Sequence, residues 1–229
     1  ISWINLTHIK KINNSNNTAY FFDLREGCIS KNKKDDNIIN WYINSKHKIK
    51  NLKIISSNLN VSNSEYLEGI EISTLGDPRH FVGLKYDYIK FILIYMCDLF
   101  LSLSYLFIGN FGNLILLPEL VLYRSVQILG KNNIAGHYLF RYTFSVYRPI
   151  WTYIAEKKGA RISIYFYSIN ADLKSPFGEN DSSHAFFPMT WPEHMVWTKL
   201  LAKSILDYSV IKPKIFVENY IPFKSLNYK

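Results

Sequence analysis

The stretch YRPIWTYIAEKKGARISIYFYSIN, residues 147–170, changes its period partway along, and no other feature constrains the fold as tightly. Pro149 suits the first turn of a helix, where its missing N–H is not needed. Ile150, Tyr153 and Ile154 then recur at helical spacing. Lys157 and Lys158 favour the negative end of the helix dipole, and Gly159 is a natural residue to close it. RISIYFYS follows at once as a β run, with the strand expected over Ile162–Tyr167. The preceding HYLFRYTFSV, 137–146, has the aromatic and β-branched content of another strand. A strand, a helix and a strand so tightly joined predict a βαβ unit. The fold class is therefore α/β, a Rossmann-like parallel sheet with flanking helices.

In open α/β sheets, ligands bind outside the carboxyl ends of the strands. Ser168 and Asn170 would stand at that rim, and the loop ADLKSPFGENDSSHAFFPMT, 171–190, would overhang it. Beyond it, His194–Trp197 reads as a short strand, Thr198 as an N-cap, Lys199–Tyr208 as a helix and KIFVE as another strand. A second parse stays open, in which Thr190 and Glu193 form a capping box and a longer helix starts at Trp191. Upstream, LILLPELVLYRSVQILG reads as a helix entered near Pro118 and closed by Gly130. Residues 1–64 are polar and Asn-rich, with apolar islands at AYFFDL and KIISSN, and LGDPRH marks a turn around Asp77 and Pro78. They are expected to form an irregular segment with short strands, part of the same domain as the α/β region 65–229. The chain starts on Ile1 and ends on PFKSLNYK, so it is expected to be a fragment, truncated at its C-terminus.

FILIYMCDLFLSLSYLFI, 91–108, is apolar nearly all round and close to the length of a bilayer crossing. It admits a membrane helix or a buried core helix, with a membrane-facing surface between the two. Asp98 at its centre would cost about 2.5–3.5 kcal/mol in a bilayer. With Ser102 and Ser104 it favours the core helix. The net charge of +9 admits nucleic acid, anionic lipid or phosphorylated small molecules. The lysines are scattered or mixed with acids, and no zinc-finger spacing or continuous basic helix is present, which argues against nucleic acid. Two cysteines, one inside the apolar run, fit a reducing compartment rather than a disulfide framework.

Several residues have chemistry suited to a site. Arg148 can fork onto a phosphate or sugar carboxylate. Asn170 can bond a sugar hydroxyl, and Trp191 and Trp197 can stack on a sugar face. Asp181 and His184 in the loop, and Glu193 and His194 at the rim, can serve as a general base. Glu156, late in its helix beside two lysines, reads as a solvated ion-pairing residue. The absence of metal-ligand spacing, a Walker-type glycine loop, GxGxxG and a GxSxG elbow argues against an ATPase, a dinucleotide enzyme and a serine hydrolase.

YRPIWTYIAEKKGARISIYFYSIN, the later MTWPEHMVW and the closing KIFVENYIPF resemble the polysaccharide-biosynthesis proteins named for a PFTS motif, over roughly residues 137–225. The family tends to place a Gly after the last strand, where this chain has Glu218 and Asn219; IPFKS is not the PFTS motif, which is absent. The resemblance implies a glycosyltransferase-like protein of surface polysaccharide clusters with a two-domain GT-B architecture, this chain being its N-terminal, acceptor-side half. It implies no cofactor in this chain, a nucleotide-sugar donor for the full-length protein, and a sugar or lipid-linked oligosaccharide acceptor. It also implies a cytoplasmic location, with peripheral contact at the inner face of the membrane. The alternative is a membrane-associated accessory or scaffold protein without catalysis.

Overall fold

The computed structural model describes residues 18–21, 38–49, 53–56, 65–67, 70–74, 85–109, 116–130, 134–141, 147–166 and 189–218. By its contacts the chain divides into two compact units. One comprises residues 17–74, 137–148 and 161–229, and the other 1–16, 75–136 and 149–160.

The first unit is built on an eight-stranded sheet: β1 (Thr18–Phe21), β2 (Lys53–Ser56), β3 (Glu65–Leu67), β4 (Ile70–Thr74), β5 (His137–Arg141), β6 (Arg161–Tyr165), β7 (Glu193–Val196) and β8 (Lys214–Val217). The spatial order is β3-β4-β2-β1-β5-β6-β7-β8. Every pairing is parallel except β3 with β4 at one edge. The order reverses between β1 and β5, as in doubly wound dinucleotide folds. The α/β class and the βαβ unit are as the period change predicts, since β5 and β6 are parallel neighbours. The described part of the N-terminal segment enters this sheet as β1, α1 (Ile38–Asn44) and β2.

Side chains alternate between faces of the sheet. One face carries Phe21, His137, Ser163, Met195 and Phe216 in register and receives α1. Tyr42 of α1 meets Phe21 edge to face at 5.2 Å, and His47 just beyond it meets Phe216 at 4.5 Å. The other face carries Tyr20, Tyr138, Ile162, Ile164 and His194, all buried. Over β7 and β8 lies α5 (Lys199–Tyr208), with Leu201, Ala202 and Ile205 buried. Its N-cap is Thr198, whose hydroxyl accepts from Leu201 N at 3.1 Å. The strand over 193–196 therefore overturns the parse that begins a helix at Trp191, because parallel pairing to β6 and β8 supplies the backbone partners that a lone helical turn would lack.

The second unit contains α2 (Lys85–Phe107), α3 (Leu117–Ile128) and α4 (Trp151–Lys157), with α2 packed on α3 and α3 on α4. Gly159 takes φ +99°, Gly159 N donates to Glu156 O and Ala160 N to Ala155 O, which makes a Schellman close to α4. Lys158 does not serve its own helix. Its ammonium donates to the carbonyls of Val126 and Gln127, each at 2.8 Å, and to that of Leu129, capping the end of α3.

The core-helix reading of 91–108 is corrected by α2. Among its described side chains the buried ones are polar, Asp98 at 7% and Ser102 at 4% exposure, while Phe100 is 65% and Phe107 90% exposed. The reason is Arg124 of α3, which holds both Asp98 oxygens, Nε at 2.8 Å and Nη2 at 3.0 Å. Pairing the one charged side chain of this run turns it toward α3 and leaves the apolar side outward. Among the described residues, no helix is both long and apolar enough to cross a membrane.

Candidate functional site

Strand reversal sets where a site can form. β2 lies beside β1 on one side and β6 beside β5 on the other, so the strand order reverses between β1 and β5, the kind of point where open α/β sheets bind ligands beyond the carboxyl ends of their strands. At that point β5 ends on Arg141, two residues past the pair Phe21–Leu139. A half-buried guanidinium there can take a phosphate or carboxylate in bidentate fashion. Sequence reasoning passed over Arg141 because the β run reads on to Val146. The signal was a lone Arg in a run otherwise aromatic and apolar.

Arg148 is buried, and its Nη1 donates to Thr190 O at 3.0 Å. That contact fixes the segment before β7, where the buried Trp191 ring lies 4.9 Å from Phe140. Trp191 precedes β7 and Trp197 follows it, so the two indoles leave from opposite ends of one strand. Arg148 and Trp191 are thus brought together through Thr190, whereas Trp197 is not shown with them. Ser168, Asn170, Asp181 and His184 lie outside the described residues.

Glu193 and His194 point to opposite faces. Glu193 opens β7 at its amino end, in register with Ser163, away from the carboxyl ends of the strands. There it joins a continuous polar chain under α1. Tyr42 Oη and His137 Nδ1 lie 2.8 Å apart, and His137 Nε2 and Ser163 Oγ likewise 2.8 Å. Ser163 donates to Glu193 at 2.7 Å, and Arg161 Nη2 pairs with the same carboxylate oxygen at 2.7 Å. Because Ser163 gives its proton to the carboxylate, it accepts from His137 Nε2–H, and Nδ1 accepts from Tyr42. The direction of every bond follows from one carboxylate. Burial, with the Arg161 and His47 charges, holds His137 well below the usual histidine range, so the ring stays neutral. Burial also raises the Tyr42 hydroxyl. Arg161 continues the chain to the His47 carbonyl at 3.3 Å, and His47 Nε2 lies 2.7 Å from Glu218. Burial alone would raise the Glu218 carboxyl, but hydrogen bonds from His47 and Lys46 bring it below its ordinary value. Such a chain fixes α1 on the sheet; Glu193 is engaged by two partners and serves as its anchor.

His194 is different. It is fully buried beside Phe166, ring centroids 6.0 Å apart, and neither ring nitrogen has a partner. Burial pushes its pKa down to about 3. A base matched to neutral pH needs a value near 7, so this ring suits one hydrogen bond to a neutral group better than proton abstraction. Among the described residues no cluster of His, Cys, Asp or Glu could hold a metal ion.

The parallel strand order, reversing between β1 and β5, defines a Rossmann-like α/β protein. The chain matches the polysaccharide biosynthesis PFTS motif protein family over residues 94–215, more than half its length, and belongs to that family. No curated protein matches it. Among solved structures, the apo form of the lipopolysaccharide outer core galactosyltransferase WaaB aligns over 87% of this chain at 15% identity, with a TM-score of 0.36. The chain spans 44% of that protein.

Proposed function

We propose that the chain supplies the acceptor-side half of a GT-B-like glycosyltransferase of surface polysaccharide biosynthesis. In this reading the full-length protein transfers a sugar from a nucleotide-sugar donor, bound outside this chain, to a sugar or lipid-linked oligosaccharide at the cytoplasmic face of a membrane. Membership in the polysaccharide biosynthesis family carries the reading. The switch point between β1 and β5 supports it, because ligands of open α/β sheets bind beyond such a point and β5 ends there on Arg141. Arg141 is the group for an anionic acceptor, and Arg148 with Trp191 shapes the approach. Acceptor hydroxyls are met by Ser168 and Asn170, and the base that removes the acceptor proton comes from Asp181 or His184, carried on the segment leaving the carboxyl end of β6. Glu193 and His194 act as structural groups in this assignment.

Calorimetric titration of a panel of nucleotide sugars tests it, with this 229-residue chain run beside the product of the complete reading frame. Binding by the longer product and none by the chain is the expected result; binding by neither overturns it. A second reading, a membrane-associated accessory protein of the same pathway without catalysis, is favoured by one observation, the outward apolar side of α2. It predicts pathway dependence on the protein with no donor binding.

A further inference from the structure

The helix α2 is built inside out for a protein in water. On the α2 helical wheel, exposed residues from Ile92 round to Tyr105 cover an arc of roughly 220°. Among the described side chains of that arc Lys90 is the only charged one and Ser104 the only other strongly polar one. The line facing α3 holds Asp98 and Ser102, with Ser102 Oγ donating to Asp98 O at 2.8 Å and Arg124 neutralising the carboxylate. Polar groups turned inward and apolar groups outward are the arrangement of helices whose surroundings are hydrocarbon.

Two occupants compete for this arc. A second copy of the chain would dock along the seam Ile89, Leu93, Met96, Phe100, Leu103 and Phe107, whose spacings alternate four and three as in a coiled coil. A partner helix covers only such a stripe, however, and would leave Ile92, Leu101 and Ile108 in water. The positions flanking the seam carry Lys90, Cys97 and Ser104 on one side, with none of the paired charges that set helix partners. A bilayer surface conforms to an arc of any width. Charge agrees: the helical unit contains nine Lys and Arg against five Asp and Glu, and the whole chain is +9. A cationic protein with an apolar outer helix complements an anionic leaflet.

We infer that α2 is a lipid-docking surface, lying in the plane of an anionic bilayer with its outer arc among the headgroups and upper acyl chains. It deepens the membrane contact of the functional reading, yet rests on α2 alone and stands whether or not the protein transfers sugar.

Cys97 lies exposed within the arc and supplies the probe. A Cys28→Ser chain, labelled at Cys97 with an environment-sensitive fluorophore, is floated with vesicles of phosphatidylcholine plus phosphatidylglycerol and with phosphatidylcholine alone. The expected result is flotation with the anionic vesicles, weakened by salt, a blue-shifted probe, and quenching by lipids labelled at shallow depth. Leu93→Asp with Phe100→Asp should stay at the bottom of the gradient with unchanged circular dichroism. Val210→Asp, an exposed apolar residue of the sheet unit, should float as the parent does. No flotation, or flotation that survives the α2 substitutions, overturns the inference. A probe shielded without vesicles also overturns it, in favour of a second copy if the protein is a dimer, or of another part of the protein if it is a monomer. Resistance to carbonate extraction would overturn it in favour of a crossing. Calorimetry with nucleotide sugars involves no vesicles, so the two readings fail separately.

Discussion

A single buried imidazole shows how strongly position governs chemistry. His194 and Glu193 are chain neighbours, yet strand alternation sends one into an apolar layer and the other into a charged network. In the unfolded chain the His194 ring protonates near 6.5, but in the folded protein only near 3. The unfolded state therefore binds an extra proton between those values, and folding stability falls as pH drops through that window. His137 adds to the same trend, its range being lowered too. His194→Leu should leave stability at pH 7 unchanged or raise it by up to about 1 kcal/mol, because it removes a buried group with no partner. At pH 5 the variant should exceed the parent by about 2 kcal/mol more, since each unit of separation contributes about 1.4. Thermal melts at the two pH values measure this, and an equal difference between the two proteins at both would show that the ring titrates alike in the folded and unfolded states. The alternating pattern of apolar residues announces a strand here. Which of two adjacent polar residues faces the apolar side is fixed by register, a one-residue matter that sequence periodicity does not carry.

At the scale of elements, the joints were legible and the faces were not. Thr198, Pro149, Gly159 and the period change mark the boundaries of α4, β6 and α5, because capping and left-handed backbone are local chemistry. The use of Lys158 at the end of α3 was not legible, since the carbonyls it caps are about thirty residues away in the chain. Neither was the chain from Tyr42 to Glu193, whose members are scattered over 152 positions of sequence. Removing its middle should cost more than removing its end. Ser163→Ala strips a partner from His137 and one from the charged Glu193 carboxylate, and is expected to destabilise by about 2–3 kcal/mol; Tyr42→Phe strips partners only from neutral groups, His137 and the Ile49 backbone, at about 1–2. The double variant should fall short of the sum, because the same ring loses both partners. Urea melts of the four proteins read the coupling, and strict additivity would mean that the chain is not continuous in solution.

On the scale of the whole molecule, two features await function: the switch point between β1 and β5, and an outward apolar helix. They test independently. On the proposed transferase reading, Arg141→Gln should weaken binding of an anionic acceptor by about tenfold, the value of one charge-assisted hydrogen bond of roughly 1.4 kcal/mol, with vesicle flotation unchanged. Retained affinity would remove Arg141 from the site. Sequence alone determined the α/β class, the βαβ unit and the family, since these rest on periodicity, caps and residue runs, all local along the chain. The order of eight strands, the pairing of Asp98 with Arg124 that turns α2 inside out, and the separation of Glu193 from His194 were decided only by tertiary structure. Each depends on which distant residues are brought within hydrogen-bond reach, and that is settled by packing rather than by neighbours in sequence.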